Sequence, residues 1–275
     1  MHDTTRAPAV AGRFYPASPT VLRDEVDAFV SGGVPAARDM APKALIVPHA
    51  GYVYSGPIAG SAYATLAKRK GAIRRVVLLG PAHRVALRGL ARPDADQLGT
   101  PLGSLRVDER LDRLVPWVPR HAAAHAEEHS LEVQLPFLLR VLGPDVTVAP
   151  FVVGAATPTE VARVLDALWG GEETVVVISS DLSHYLPYDV AREVDHETAD
   201  AIVQKSAGID PERACGARAI DGLLEVARAR GLEVETLDLR TSGDTAGGRD
   251  EVVGYGAFAL YEPAESTLLL ARDPF

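Results

Sequence analysis

Lys43-Ala-Leu-Ile-Val-Pro-His-Ala-Gly-Tyr-Val-Tyr-Ser-Gly56 is an apolar run that stops at a proline and hands a histidine to a glycine-bearing turn. Ala44 to Val47 are four apolar residues without polar alternation, the pattern of a strand covered on both faces. Pro48 ends the ladder, because proline has no N–H to give. Gly51 and Gly56 open backbone conformations closed to other residues, and Pro57 suits the first position of a helix running from Ile58 to Lys68. Ligands of open α/β sheets sit beyond the carboxyl ends of the strands, so His49 stands where chemistry is expected. A histidine that merely caps a turn is the competing reading of the same residue.

The pattern recurs along the chain. Arg75 to Gly80 is a second buried strand, leading through Gly80-Pro-Ala to His83, and Thr174 to Ser179 is another, opening onto Ser180-Asp-Leu-Ser-His184. Further strands are expected at Val146–Val153, Glu233–Leu239 and Val252–Tyr261, with short strands or a hairpin between Leu87 and Val107. Helices are expected after Ser18, over Asp108–Leu114, Ser130–Leu142, Pro158–Trp169, Asp189–Gln204 and Ala217–Ala229. Strands and helices interleave with no linker between them. The expectation is therefore one three-layer α/β domain over residues 1–275 with a mixed central sheet.

Composition narrows the function. Hydrophobic residues make up 47% and charged residues 24%, enough for a substantial core, and the formal charge of −9 argues against a phosphate-binding surface. Nucleic acid is thus not an expected partner. No run approaches the roughly 18 apolar residues that cross a bilayer, so no membrane is expected either. Cys215 is the only cysteine, which precludes an intrachain disulfide and fits a reducing cytoplasm.

Four histidines and one aspartate stand where strands give way to loops: His49, His83, His129, His184 and Asp244. Two imidazoles and a carboxylate on one side of a divalent ion, with other positions open, form the facial triad of non-haem Fe(II) oxygenases, and zinc accepts the same donors. Histidines outside the donor set can move protons near neutral pH. Asp181, three residues before His184, reads either as orienting that ring or as a cap, and Tyr52 and Tyr54 read as pocket lining or as packing. His121, His125 and His196 are read as outside the site.

VPHAGYVYSG, LGPAHR, EEHSLEVQLPFL, SSDLSH and TSGD followed by VVGYGAFAL, in that order, resemble the Memo family, whose prokaryotic members are also labelled AmmeMemoRadiSam system protein B. AVAGRFYP is similar to the family's amino-terminal motif, with Phe14 where tryptophan is common. The resemblance spans essentially the whole chain. It implies a fold similar to class III extradiol dioxygenases, with His49 and His83 as metal ligands, a third ligand from the carboxyl-terminal loop at Asp244, His184 as acid/base residue and His129 as a second one. Animal members carry cysteine where Asp244 stands, and the aspartate makes a harder, oxygen-richer site. The expected function is a metal-dependent oxidoreductase of the extradiol type. It would act on an unknown oxygen-bearing small molecule with Fe(II), with zinc or copper as the other ions. A zinc-dependent hydrolase and a non-enzymatic metal-binding or interaction protein are the alternatives. The family also implies a pathway link to a radical-SAM protein.

Overall fold

The computed structural model describes residues 4–263 apart from 36 and 39. Eleven strands form a single mixed sheet: β1 (Thr5–Arg6), β2 (Ala44–Val47), β3 (Arg75–Pro81), β4 (Leu90–Ala91), β5 (Gln97–Thr100), β6 (Gly103–Val107), β7 (Thr147–Val153), β8 (Thr174–Ser179), β9 (His184–Leu186), β10 (Glu233–Thr241) and β11 (Val252–Tyr261). The main path runs β1-β5-β6-β7-β3-β8-β2-β11-β10, with β4 on β7 and β9 on β11. Strands β6, β7, β3, β8 and β2 are mutually parallel, and β11 is antiparallel to both β2 and β10.

Alternate residues of the central strands enter two separate cores. Leu45, Val47, Val76, Leu78, Val175 and Val177 pack under α1 (Pro19–Ser31), α2 (Tyr52–Ala64) and α5 (Leu135–Val141). Their neighbours Ala44, Ile46, Val77, Leu79, Val176 and Ile178 pack under α6 (Pro158–Leu168), α7 (Tyr188–Val203) and α8 (Ala217–Arg230). Both faces being covered explains why these strands read as continuous apolar runs. Among the described residues no helix is long and apolar enough to cross a membrane.

The helix after β2 starts earlier than Pro57. It begins at Tyr52, with Pro57 inside it, because the amides of Tyr54 and Ser55 both donate to the Gly51 carbonyl and so close the first turn at the glycine. Pro57 leaves the carbonyl of Val53 without its helical donor, and Val53 is exposed, where water can serve it. The stretch 130–142 is likewise not one helix: a single tight turn at Glu132–Gln134 precedes α5.

That turn anchors the amino-terminal segment. The carboxylate of Glu132, fully buried, accepts from Arg6 Nη1 at 2.6 Å, the amides of Ala9 and Val10 at 2.8 and 2.9 Å, and Tyr15 Oη at 2.7 Å. Four donors from one segment converge on one acid, and the segment is thereby laid against the end of the sheet where the histidines emerge.

Candidate metal centre

The parallel strands β2, β3 and β8 end on one edge of the sheet, and their following loops supply His49, His83 and Asp181. His129 enters from the loop before the turn at Glu132, on the α5 side. Potential ligand atoms of His49, His83 and His129 all lie within 4.8 Å of one another. The His83 and His129 rings are stacked with centroids 4.7 Å apart, and His49 meets both edge-on at 5.3 and 5.5 Å. The Phe14 ring lies 4.6 Å from that of His129, and the Phe14 carbonyl accepts from the Tyr52 amide, so the amino-terminal segment walls one side of the cluster.

Hydrogen bonds fix which nitrogens are free. Ser179 Oγ spends its single proton on the Ser130 carbonyl at 2.6 Å and accepts from Gln134 Nε2 at 2.8 Å, so its 2.9 Å contact with His49 Nδ1 must be a bond donated by the ring. His49 Nε2 then carries the lone pair. His83 Nδ1 faces Glu128 Oε1 at 3.0 Å, and a carboxylate can only accept, so His83 also offers Nε2. His129 Nδ1 is buried, makes no hydrogen bond, and has Glu128 Oε1 3.5 Å away. Three converging imidazoles, with Cys215 Sγ 3.3 Å from His49 Nε2 as the thiol an ion would displace, fit a divalent ion of the zinc or iron type, and the carboxylate behind His83 is the usual support of a ligating histidine.

Electrostatics keep two of the rings, His49 and His129, neutral. Burial, then the neighbouring His83 and His129, hold His49 well below the ordinary imidazole value. Burial lowers His129 to about 4, only partly opposed by Glu128. Glu128 would be raised by its own burial, but the hydrogen bonds from the His83 ring and the backbone amides outweigh that and bring it to about 2. It receives the amides of His83 at 2.6 Å and of His129 and Ser130 at 2.9 Å. Unprotonated rings beside an ionised support are the state in which imidazole binds metal.

The remaining predicted residues fall in different places. His184 opens β9, opposite Val253 of β11, and lies close enough to His49 and His83 for their charges to interact. Its pKa is lowered chiefly by burial, against a hydrogen bond to the Leu182 carbonyl. Asp181 does not serve His184 and does not cap a helix. Its Oδ1 accepts the His49 amide at 2.6 Å, so it holds the loop that presents His49, and burial raises it to about 7 despite that bond. Tyr52 is buried, tilted against Tyr15 and Phe137 and edge-on to Phe29, and donates to the Val133 carbonyl at 2.6 Å, which makes it packing rather than pocket lining. Tyr54 is exposed on the first turn of α2.

Asp244 is not gathered with the histidines; His129 is. The aspartate follows β10, two strands from β2 and four from β3 in the sheet order, and it is not among the residues whose ligand atoms converge. Its Oδ2 accepts from the Thr241 amide at 2.8 Å and hydroxyl at 3.0 Å, and its Oδ1 from Tyr188 Oη at 2.5 Å. Partial burial would raise its pKa, but the bonds from Tyr188 and Thr241 outweigh it and lower the group. His129 in turn sits among the prospective donors instead of outside them. His121 caps the short helix α4 (Ala122–Ala126), His125 bonds the Ala91 carbonyl, and exposed His196 bonds the Arg192 carbonyl.

Glu128, Ser179, Gln134 and Cys215 were not singled out by sequence reasoning. Glu128 had a signal: an acid directly before a candidate histidine. Ser179 and Gln134 act through a tertiary network with no local pattern, Gln134 also donating to the Pro48 carbonyl and accepting from Tyr63 Oη. Cys215 Sγ lies 3.3 Å from His49 Nε2.

The family model described as Memo-like protein matches residues 6–259. A MEMO1 family protein of Methanococcoides burtonii is 36% identical over 275 residues, covering 93% of this chain and 99% of that one. Those of Desulfurococcus amylolyticus and Ignicoccus hospitalis are 34% and 36% identical, over 93% and 92% of this chain and 99% and 97% of their own.

Proposed function

The chain belongs to the Memo family, and from that premise we propose that it is a metal-dependent oxidoreductase whose divalent ion is held by His49, His83 and His129. The observation that carries the reading is the convergence of three imidazoles whose ligand atoms all lie within 4.8 Å of one another. In the extradiol-type chemistry implied by the resemblance, Fe(II) supplies the redox step on an oxygen-bearing substrate and O₂. His184, neutral at pH 7 and bonded through one nitrogen to Leu182, has its other nitrogen free to take a proton from a substrate hydroxyl. Glu128 and Ser179 keep the His83 and His49 rings in the tautomers that present Nε2. Asp181 fixes the backbone of the His49 loop.

An all-imidazole donor set favours a second reading, because three histidines with an open position are also a zinc hydrolytic set. Protein purified without oxygen, stripped and reloaded with Fe(II), Zn(II) or Co(II), then assayed for metal content, oxygen uptake and ester hydrolysis, separates the two. His129→Ala should lose bound metal, and His184→Ala should keep it while losing roughly a hundredfold to ten-thousandfold in turnover. Full metal occupancy in His129→Ala would reject this donor set.

A further inference from the structure

The chain reaches His184 through Leu182 and Ser183, and there it is held from two sides. From β11, the Gly254 carbonyl accepts the Leu182 amide and the Gly254 amide donates to the Ser183 carbonyl, both at 2.8 Å. From α7, Asp195 Oδ1 accepts the Ser183 amide at 3.0 Å. Ser183 and Asp195 are 0% and 2% exposed, so no bulk water competes for this bond. A Cβ at Gly254 would run into Asp195 Oδ2, so glycine is what lets the carboxylate come down onto the strand.

Two unfavourable features meet at this point of the chain. Asp195 is a buried acid whose Oδ2 has no hydrogen-bond partner, and burial raises its pKa against the Ser183 amide. Tyr185, directly after His184, stands at φ 56°, in the left-handed region that a bulky residue keeps only where its surroundings over-determine it. An apolar residue at 195 would avoid the first cost but would strand the Ser183 amide. That amide matters to the histidine, because the His184 ring bonds back to the Leu182 carbonyl across Ser183. A turn of the Ser183 backbone would part the two. We propose that Asp195 is a positioning residue for His184: by fixing the Ser183 amide it keeps the ring on the Leu182 carbonyl, in one tautomer, with the other nitrogen left free to take a proton. The catalytic meaning of this placement rests on the reading of His184 given above; the hold of Asp195 on the ring does not.

The test is nitrogen NMR of metal-free protein carrying isotopically labelled histidine, at a pH above the imidazole range, with the His184 signals identified by their loss in His184→Ala. The native protein should give two well separated ring-nitrogen shifts for His184, the signature of a single neutral tautomer. In Asp195→Ala they should move together toward their average, as the ring leaves Leu182 and exchanges between tautomers. His125, whose Nε2 bonds the Ala91 carbonyl at 3.0 Å, is the internal control and should not change. Asp195→Asn keeps an oxygen for the amide and should keep the native shifts. Gly254→Ala, whose methyl displaces the carboxylate, should reproduce Asp195→Ala, and joining the two substitutions should move the His184 shifts no further. Native His184 shifts in Asp195→Ala, or averaged ones in the wild type or in Asp195→Asn, would overturn the assignment. So would His184 and His125 changing together, or an Asp195→Ala chain that does not fold, since either makes Asp195 a general support of the fold. Metal content and turnover of His184→Ala decide separately whether the ring held by Asp195 is the proton acceptor.

Discussion

Glu128 and Asp244 are acids in loops at the histidine-bearing edge of one sheet, and their partners differ in kind. Asp244 is satisfied by Thr241 three residues back and by Tyr188 at the start of α7, neither of them beside a histidine of the cluster. Glu128 takes a ring nitrogen and an amide from His83, 45 residues away, together with the amides of His129 and Ser130. One carboxylate ties its turn to α7, whereas the other ties two histidine-bearing segments together. A residue's chemical type does not assign it to a centre; the origin of its hydrogen bonds does.

The contrast is sharpest if Glu128 is removed. Glu128→Ala strands a part-buried ring N–H and three amides, so unfolding of the metal-free protein should show a loss of about 3 kcal/mol. Co(II) titration should show affinity falling by about tenfold to a hundredfold, the usual cost of losing such a support. A variant with wild-type affinity would put Glu128 in the same class as Asp244.

Asp181→Asn comes next. The folded acid keeps its proton up to about 7 against 3.8 for an ordinary aspartate, so its contribution is present at low pH and is lost as pH rises toward 7. Asparagine keeps the acceptor for the His49 amide without the charge, and should stabilise the protein at pH 8 by on the order of 2 kcal/mol. His129 has the opposite sign. The unfolded ring takes up protons below 6.5 and the folded one only near 4, so stability falls as pH drops through that window. The two slopes oppose each other in the native chain, and thermal melts of Asp181→Asn between pH 4 and 6.5 should expose a steeper acid loss than wild type. Equal slopes would mean that Asp181 is already ionised.

Asp244→Ala should cost about 1 kcal/mol, the scale of a lost cap, and leave metal content unchanged. Loss of metal would return this aspartate to the donor set and collapse the comparison. Tyr188→Phe removes one exposed hydrogen bond from Asp244 and should lower stability by only a few tenths of a kcal/mol, since solvent replaces the hydroxyl. A larger loss in chemical denaturation would show that the tie between Asp244 and α7 carries more of the fold's stability than an exposed hydrogen bond does.

The central layer of the fold was legible because β2, β3 and β8 are buried on both faces and carry unbroken apolar runs. The first turn of α2 was not, because proline at position 57 is a stronger local signal than the glycine that starts the helix. In the site, His49 and His83 were readable from strand ends, since a loop leaving a parallel strand at the carboxyl edge has few places to go. Distance across the sheet was not readable. Nothing in TSGD reveals that β10 lies beyond β11, or that Thr241 and Tyr188 already use the carboxylate. The tautomers of His49 and His83 depend on Ser179, Gln134 and Glu128, whose roles exist only after the chain has folded.

The grip of Glu132 on the amino-terminal segment spans 117 to 126 residues of chain. Contacts of such separation carry a high loop-closure cost and are gained late in folding. On the ribosome, residues 6–15 emerge more than a hundred residues before the acid that will hold them, and until it arrives Phe14 has no His129 to cover. The histidine cluster is thus walled on one side by the part of the protein that is made first and can be held only after Glu132 has emerged.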